Sequence, residues 1–201
     1  MSQAKDALNQ AIQLPTIFGD FKMKAYEPKH SQEQPTVAIY KGDLQGADNV
    51  LVRFHSECLT GDIFGSLRCD CGQQLQTTLK MINEAGSGVV IYLRQEGRGI
   101  GLLNKFKTYI LQEQGYDTVE ANLALDLPVD AREYEVCHEI LNELGVRSIR
   151  LLTNNPDKIQ KAKNLGIKVT ERVELEFEAS DSNELYLRTK KNKLGHLLEK
   201  I

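Results

Sequence analysis

Hydrophobic and polar positions alternate with a period of two in the early chain and then move to helical spacing. "GDFKMKAYEP", "PTVAIYKG" and "NVLVRFHSE" carry the alternation and predict three strands. The polar "KHSQEQP" between the first two predicts an exposed link. In "GQQLQTTLKMINEAG", Leu75, Leu79 and Ile82 fall on one helical face and a glycine follows, which predicts a helix with a stop. "GVVIYLRQ" is a short β-branched run, the pattern of a buried strand. Helices are predicted over "LLNKFKTYILQEQG", "TVEANLALD" and "REYEVCHEILNELG", the last two flanking "LPVDAR". "SIRLLT" and "KVTERVEL" read as strands around a helix at "PDKIQKAKNLG", and "NELYLRTKKNKLGHLLEK" as a closing helix with a basic face. Residues 1–13 read as a tail or short helix and 14–201 as one domain without repeats or a linker. Strands first, then alternating helix and strand, imply an α/β (mixed α+β) single domain: a mixed sheet with flanking helices.

Composition narrows the classes. The chain has 201 residues, of which 41% are hydrophobic and 26% charged, as in ordinary soluble proteins. A net charge of −3 argues against sequence-independent nucleic-acid binding, while a local basic pocket for a small anion stays open. No apolar run has the length of a membrane span, and "MSQAKDALNQAIQLPT" lacks a signal-peptide core, so a cytoplasmic, reducing compartment is expected. There, clustered cysteines read as metal-binding or catalytic before they read as disulfides.

Three of the four cysteines fall within "HSECLTGDIFGSLRCDCGQQL". Cys69 and Cys71 are two positions apart, which directs side chains to one side in a strand or tight loop but roughly 200° apart within a helix. Cys58 lies eleven positions before Cys69, across a loop containing Gly61 and Gly65, and can fold back to the same ion. Buried small hydrophobes are the plain alternative. The clustering favours a thiolate site, with zinc as the metal suited to sulfur. Three protein ligands leave a tetrahedral position open for water, the arrangement of catalytic zinc. His55, His138 or Cys137 could close it, although Cys137 shares an apolar helical face with Tyr134, Ile140, Leu141 and Leu144 and reads as core.

Three further segments carry chemistry. "RQEGRGIGLLNK" sets a glycine-rich turn between strand and helix, with Glu96 able to pair with a guanine edge and Arg98 with phosphate. Its glycines do not satisfy the dinucleotide pattern. In "RLLTNNPDKIQ", Asn155 caps a helix opening on Pro156 and directs free N–H groups toward an anion, with Lys158 in the first turn. Asp130 and Arg132 in "LPVDAREY" form either a polar turn or part of a site, and Tyr109 is either core or site.

Together, "RFHSECLTGDIFGSLRCDCGQQL", "RQEGRGIGLLNK", "QGYDTVEAN", "DAREY" and "RLLTNNPDK" resemble GTP cyclohydrolase II, from about Leu14 to the final "GHLL". The resemblance implies a zinc- and magnesium-dependent homodimer that converts GTP to a diaminopyrimidine ribosyl phosphate with loss of formate and pyrophosphate, the first step of riboflavin biosynthesis. By position it implies one catalytic zinc on Cys58, Cys69 and Cys71. It implies GTP contacts at Arg53, Phe54, His55, Ser56, Glu57, Gln74, Glu96, Gly97, Arg98, Thr118, Thr153 and Lys158. Asp130 corresponds to a proton acceptor, Arg132 to a nucleophile toward the α-phosphorus, and Tyr109 to a residue needed for ring opening. Because guanidinium stays protonated in proteins, charge stabilisation is the milder reading of Arg132. Many relatives carry a fused dihydroxybutanone phosphate synthase, and a chain of this length is expected to have one activity. Two rivals are a zinc nucleobase deaminase, suggested by His55-Ser56-Glu57 but lacking P-C-x-x-C, and a non-enzymatic zinc module.

Overall fold

Buried residues run almost without interruption through Val50–Ser56 (β4) and Gly88–Leu93 (β5), the pattern of strands covered on both faces. In the computed structural model, which describes residues 10–28 and 34–201, these two strands lie side by side and parallel at the centre of one sheet. The other strands are β1 (Ile12–Thr16), β2 (Gly19–Tyr26), β3 (Thr36–Lys41), β6 (Ile149–Leu152) and β7 (Val169–Val173). Their order is β1-β2-β3-β5-β4-β6-β7. From β1 to β5 the neighbours pair antiparallel, whereas β5, β4, β6 and β7 run parallel. The helices are α1 (Cys71–Ala85), α2 (Leu102–Glu113), α3 (Thr118–Ala124), α4 (Glu135–Glu143), α5 (Pro156–Asn164) and α6 (Glu184–Leu194).

Strand alternation divides the core between the two faces of the sheet. Val50, Val52 and Phe54 of β4 pack with Cys137, Ile140 and Leu141 of α4 and Ala162 of α5. Leu51 points the other way, into a cluster with Leu79 and Ile82 of α1 and with Phe21. α1 stops where the sequence predicted, at Gly86 in the left-handed conformation.

Among the described residues, four strands rather than three precede the cysteines, because β1 occupies Ile12–Thr16. It has little burial and no clean alternation, and is defined by pairing with β2, in register Leu14 opposite Phe21. Pro15 is tolerated because β1 is an edge strand. Of the predicted tail or short helix at residues 1–13, Ile12 and Gln13 belong instead to β1, while residues 1–9, like residues 29–33 of the polar link, lie outside the described residues. α4 begins at Glu135 instead of Arg132, whose N–H and guanidinium bond Asp130 outside the helix. The last helix ends at Leu194, short of the predicted Lys200, because Gly195 turns left-handed (φ 64°). Three adjacent parallel strands, β4, β5 and β6, therefore direct their carboxyl ends to one edge, the usual position of a ligand crevice in such sheets.

Candidate active site

The segments that follow β4, β5 and β6 line one cleft of about 1120 Å³, counted with its open mouth. Cys58 sits just past β4, and a single wide helical turn, Leu59–Ile63, reverses the chain beneath it. The Asp62 carboxylate secures that turn. It accepts from the Cys58 N–H at 3.0 Å, from the Tyr92 hydroxyl at 2.9 Å and from His55 Nε2 at 3.0 Å. A carboxylate only accepts, so Nε2 carries the His55 proton, and burial keeps the ring neutral. Cys69 precedes α1 and Cys71 is its first residue, so the divergence of positions two apart inside a helix does not arise.

The sulfurs of Cys58, Cys69 and Cys71 all lie within 4.8 Å of one another, with Cys58 and Cys69 3.7 Å apart. Tetrahedral zinc with bonds of about 2.3 Å separates its sulfurs by about 3.8 Å. Gly61 supplies the space: a Cβ there would stand 2.9 Å from Cys69 Sγ and 3.2 Å from Cys58 Sγ. Lys105 Nζ reaches Cys58 Sγ at 3.2 Å and Glu96 Oε1 at 2.8 Å. Hydrogen bonds from the Cys69 and Cys71 thiols, with Lys105 adding positive charge, hold Cys58 far below the usual thiol range. The same contact with Cys58 pushes Cys69 up to about 11 and Cys71 higher than usual. The soft donors and free space of the cluster fit a zinc ion with an open position. Other candidate ligands are engaged elsewhere. His55 is bonded to Asp62, His138 Nε2 to Asn142 at 3.0 Å, and Cys137 is fully buried in the core.

The other end of the cleft is cationic. Arg53 donates to the Leu152 carbonyl at 2.9 Å and to Gln74 Oε1, while its Nε is buried without a protein partner. Lys158 turns inward and donates to the Phe54 carbonyl at 2.7 Å. Burial, with Arg53 and Arg132 nearby, pushes its ammonium well below the ordinary lysine value. Asn155 accepts from the Asp157 N–H at 3.0 Å and so caps α5, as its sequence position predicts. Asp130 and Arg132 form a bidentate pair, with Arg132 Nε 2.9 Å from Oδ1. Burial opposes the charge on Arg132, but the bonds from Asp130 outweigh it and keep the guanidinium more firmly protonated than usual. Arg98 adopts a left-handed backbone (φ 61°), with its carbonyl accepting from the Ala131 N–H at 3.0 Å. Gly99 (φ 91°) approaches Ala131 so closely that a Cβ would stand 3.0 Å from its oxygen. These contacts join the 96–99 turn to the Asp130 loop.

A family sequence model described as GTP cyclohydrolase II matches residues 8–174. This chain belongs to the GTP cyclohydrolase II family. It is 54% identical over 188 residues to the GTP cyclohydrolase-2 of Acinetobacter baumannii (strain SDF), covering 93% of this chain and 94% of that one. It is 54% identical over 190 residues to the riboflavin biosynthesis protein RibBA of Endomicrobium trichonymphae, covering 94% of this chain but 47% of the relative. The Bacillus subtilis RibBA is 56% identical, again over 93% of this chain and 47% of its own. The chain thus spans nearly all of its GTP cyclohydrolase-2 relatives and about half of these RibBA relatives. A solved two-domain dihydroxybutanone phosphate synthase from A. baumannii aligns at 15% identity with a TM-score of 0.37, too weak a likeness to bear on the fold.

In this GTP cyclohydrolase II chain, the cleft gathers nearly all of the residues singled out from sequence, including Ser56, Glu57, Gln74, Gly97, Tyr109, Thr118 and Thr153. Two stand apart. The Phe54 side chain is in the core, because alternation along β4 sends Arg53 and His55 toward the cleft and Phe54 away; only its carbonyl takes part. Asp130 does not line the cleft and acts on it through Arg132. Glu96 lines the cleft with its oxygens also accepting from Lys105, the Gly97 N–H and the Leu59 N–H. Sequence reasoning missed Asp62, Lys105, Tyr186, Lys190 and His196. Asp62 and Lys105 lie inside quoted motifs without standing out in them, the other three lie outside any motif, and packing reveals the role of each.

Proposed function

We propose that this chain is a zinc-dependent GTP cyclohydrolase that releases formate and pyrophosphate from GTP and leaves a diaminopyrimidine ribosyl phosphate for riboflavin synthesis. One observation carries the reading: three converging sulfurs share a cleft with Arg53 and Lys158, buried basic side chains whose hydrogen bonds among the described residues go to neutral oxygens. Buried charges are normally paired, so such a pocket suits a polyanionic ligand. Cys58, Cys69 and Cys71 hold the zinc, which when bound supplies Lewis-acid activation of water for hydrolysis at the guanine C8.

The protein residues then have distinct tasks. Lys105 steadies the Cys58 thiolate and anchors Glu96. Glu57, held by Arg94 at 3.3 Å through one oxygen, keeps the other for the guanine N–H groups. Burial keeps the Tyr109 phenol protonated, so it donates a proton to the ring nitrogen that leaves C8. Arg132, held protonated by Asp130, lacks a free lone pair for attack and stabilises charge on the phosphoryl group while water displaces pyrophosphate. Arg98 and Lys158 bind phosphate oxygens, and magnesium would supply further neutralisation of the triphosphate charge.

Two partner readings accompany this. Exposed Leu103, Phe106 and Ile110 form a stripe on α2 at helical spacing, and an Arg68–Glu113 ion pair draws the loop bearing exposed Phe64 and Leu67 beside it. This apolar patch supports a homodimer, which light scattering of wild type against Phe106→Glu tests: a monomeric variant is expected. Among the described residues no helix is long and apolar enough to cross a membrane, and the cytoplasm suits a thiolate site.

The direct test incubates zinc-loaded protein with GTP and magnesium and quantifies formate and pyrophosphate together. Equal yields are expected. Ammonia in place of formate would establish the deaminase reading, and tight GTP binding without turnover a binding module.

A further inference from the structure

None of the site residues that the resemblance implies lies beyond Lys158, and the family model's match ends at residue 174. Yet the cleft is also lined by Tyr186, Lys190, His196 and Leu198. These belong to α6 and the stretch after it, which are fastened to the site at several points. Lys190 Nζ donates to Asp70 Oδ1 at 2.7 Å, between the two metal-ligand cysteines, and both side chains are buried. Asp70 Oδ2 accepts from Gln74 Nε2 at 2.7 Å, and Gln74 accepts from Arg53, so one polar chain runs from α6 to β4. Gly195 then reverses the backbone, the Leu197 N–H donates to the Asn154 carbonyl at 2.8 Å, and Leu198 is buried.

A segment that served only to cover apolar surface would not bury an ammonium against a carboxylate 120 positions away, because such a pair gains little over apolar packing. Of the residues from this segment that line the cleft, Lys190 and His196 carry N–H groups able to meet phosphate oxygens. The Tyr186 ring lies 4.4 Å from Lys190 Nζ and 6.0 Å from the Arg98 guanidinium, holding both cations at the cleft. Burial and the cations Lys190, Arg98, Arg132 and Lys158 depress His196 to about 3, which locates its imidazole within the positive field that a polyphosphate would occupy.

We propose that the segment from Tyr186 to Leu198 forms a wall of the substrate site, with His196 donating a hydrogen bond to a phosphate oxygen of GTP. Lys190 is a positioning residue, joining the segment to the Cys69–Cys71 loop. The proposal rests on the GTP reading above. It assigns substrate binding to a part of the chain beyond the span of the family model, which ends at residue 174.

The test uses the full-length, zinc-loaded protein and measures two quantities: the Kd for an α,β-methylene GTP analogue by calorimetry, and GTP turnover. Loss of one charge-assisted hydrogen bond in His196→Ala is expected to weaken the Kd by about tenfold, and the loss in turnover to fall on KM more than on kcat. His196→Gln, which keeps an N–H, should recover part of it. Lys190→Met should weaken binding, and Lys190→Arg should restore it. Unchanged zinc content and melting temperature in His196→Ala separate a binding role from a structural one. A His196→Ala Kd within twofold of wild type, or a weakening matched by zinc loss or a lower melting temperature, overturns the wall. Wild-type protein that binds the analogue but releases neither formate nor pyrophosphate from GTP sinks the cyclohydrolase reading alone, while the same His196 comparison still decides the wall. Wild-type protein that binds no analogue overturns both.

Discussion

Replacing Gly61 by alanine adds one methyl group beside the three sulfurs and should weaken zinc binding selectively. The new Cβ would lie 2.9 Å from Cys69 Sγ, 3.2 Å from Cys58 Sγ and 3.2 Å from Cys71 Cβ, whereas ordinary contact begins at 3.4 Å. Cys69 Sγ must therefore retreat by about 0.5 Å, beyond the ~0.2 Å within which metal–ligand distances hold. Gly61 has no left-handed φ, so the backbone accepts alanine and the cost falls on the sulfurs. A free cysteine absorbs such a shift by a small rotation; one tied to an ion cannot. Zinc affinity should fall on the order of 10-fold to 100-fold, or about 1.4 to 2.7 kcal/mol. The stability of the metal-free protein should change by less than about 1 kcal/mol. Competition against a chromogenic chelator measures the first quantity, and urea unfolding in the presence of a strong chelator the second. Unaltered zinc affinity would refute the geometry argued for the site. Equal losses with and without metal would mean that Gly61 serves general packing.

Further outcomes follow from the same contacts. Cys137→Ser should leave zinc content unchanged but lower stability by about 1–3 kcal/mol, because its hydroxyl enters a fully buried apolar site; metal analysis with urea unfolding checks both. Lys105→Met strands the buried Glu96 carboxylate and should cost about 3 kcal/mol of unfolding free energy, whereas a change under about 1 kcal/mol would show that Glu96 is satisfied by backbone N–H groups alone. Asp130 is held below its ordinary 3.8, burial opposing and the Arg132 hydrogen bonds outweighing it. Its contribution to stability is therefore complete above the unfolded value and lost as pH falls through the lower folded one. Asp130→Asn should flatten that part of the acid limb in urea midpoints taken from pH 5 to below 3, and an unchanged slope would rule the pair out.

Most elements were legible because their causes are local. The 3.6-residue spacing of Leu75, Leu79 and Ile82, the left-handed stop at Gly86 and the Asn155-Pro156 cap each depend on a few neighbouring residues. The cysteine trio was legible too, since the loop from Cys58 to Cys71 is short enough to close on itself. β1 was not, because Ile12–Thr16 is an edge strand whose only definition is its partner, β2. Nor does local pattern specify that β5 lies between β3 and β4, or that pairing changes from antiparallel to parallel there. That choice directs the carboxyl ends of β4, β5 and β6 to one edge and so creates the cleft.

The same division holds among the site residues. Arg53 and Phe54 are adjacent in sequence, yet only their placement in the sheet sends one side chain to the cleft and the other to the core. Lys105 reads as any helical lysine until α2 packs it against Glu96 and Cys58, and Lys190 meets Asp70 across 120 positions. The sequence by itself determined the chemistry available: three thiols, a phosphate-suited turn and a capped helix. Tertiary structure decided which buried charges could exist at all, because a desolvated lysine or carboxylate is tolerated only where a distant segment supplies its partner.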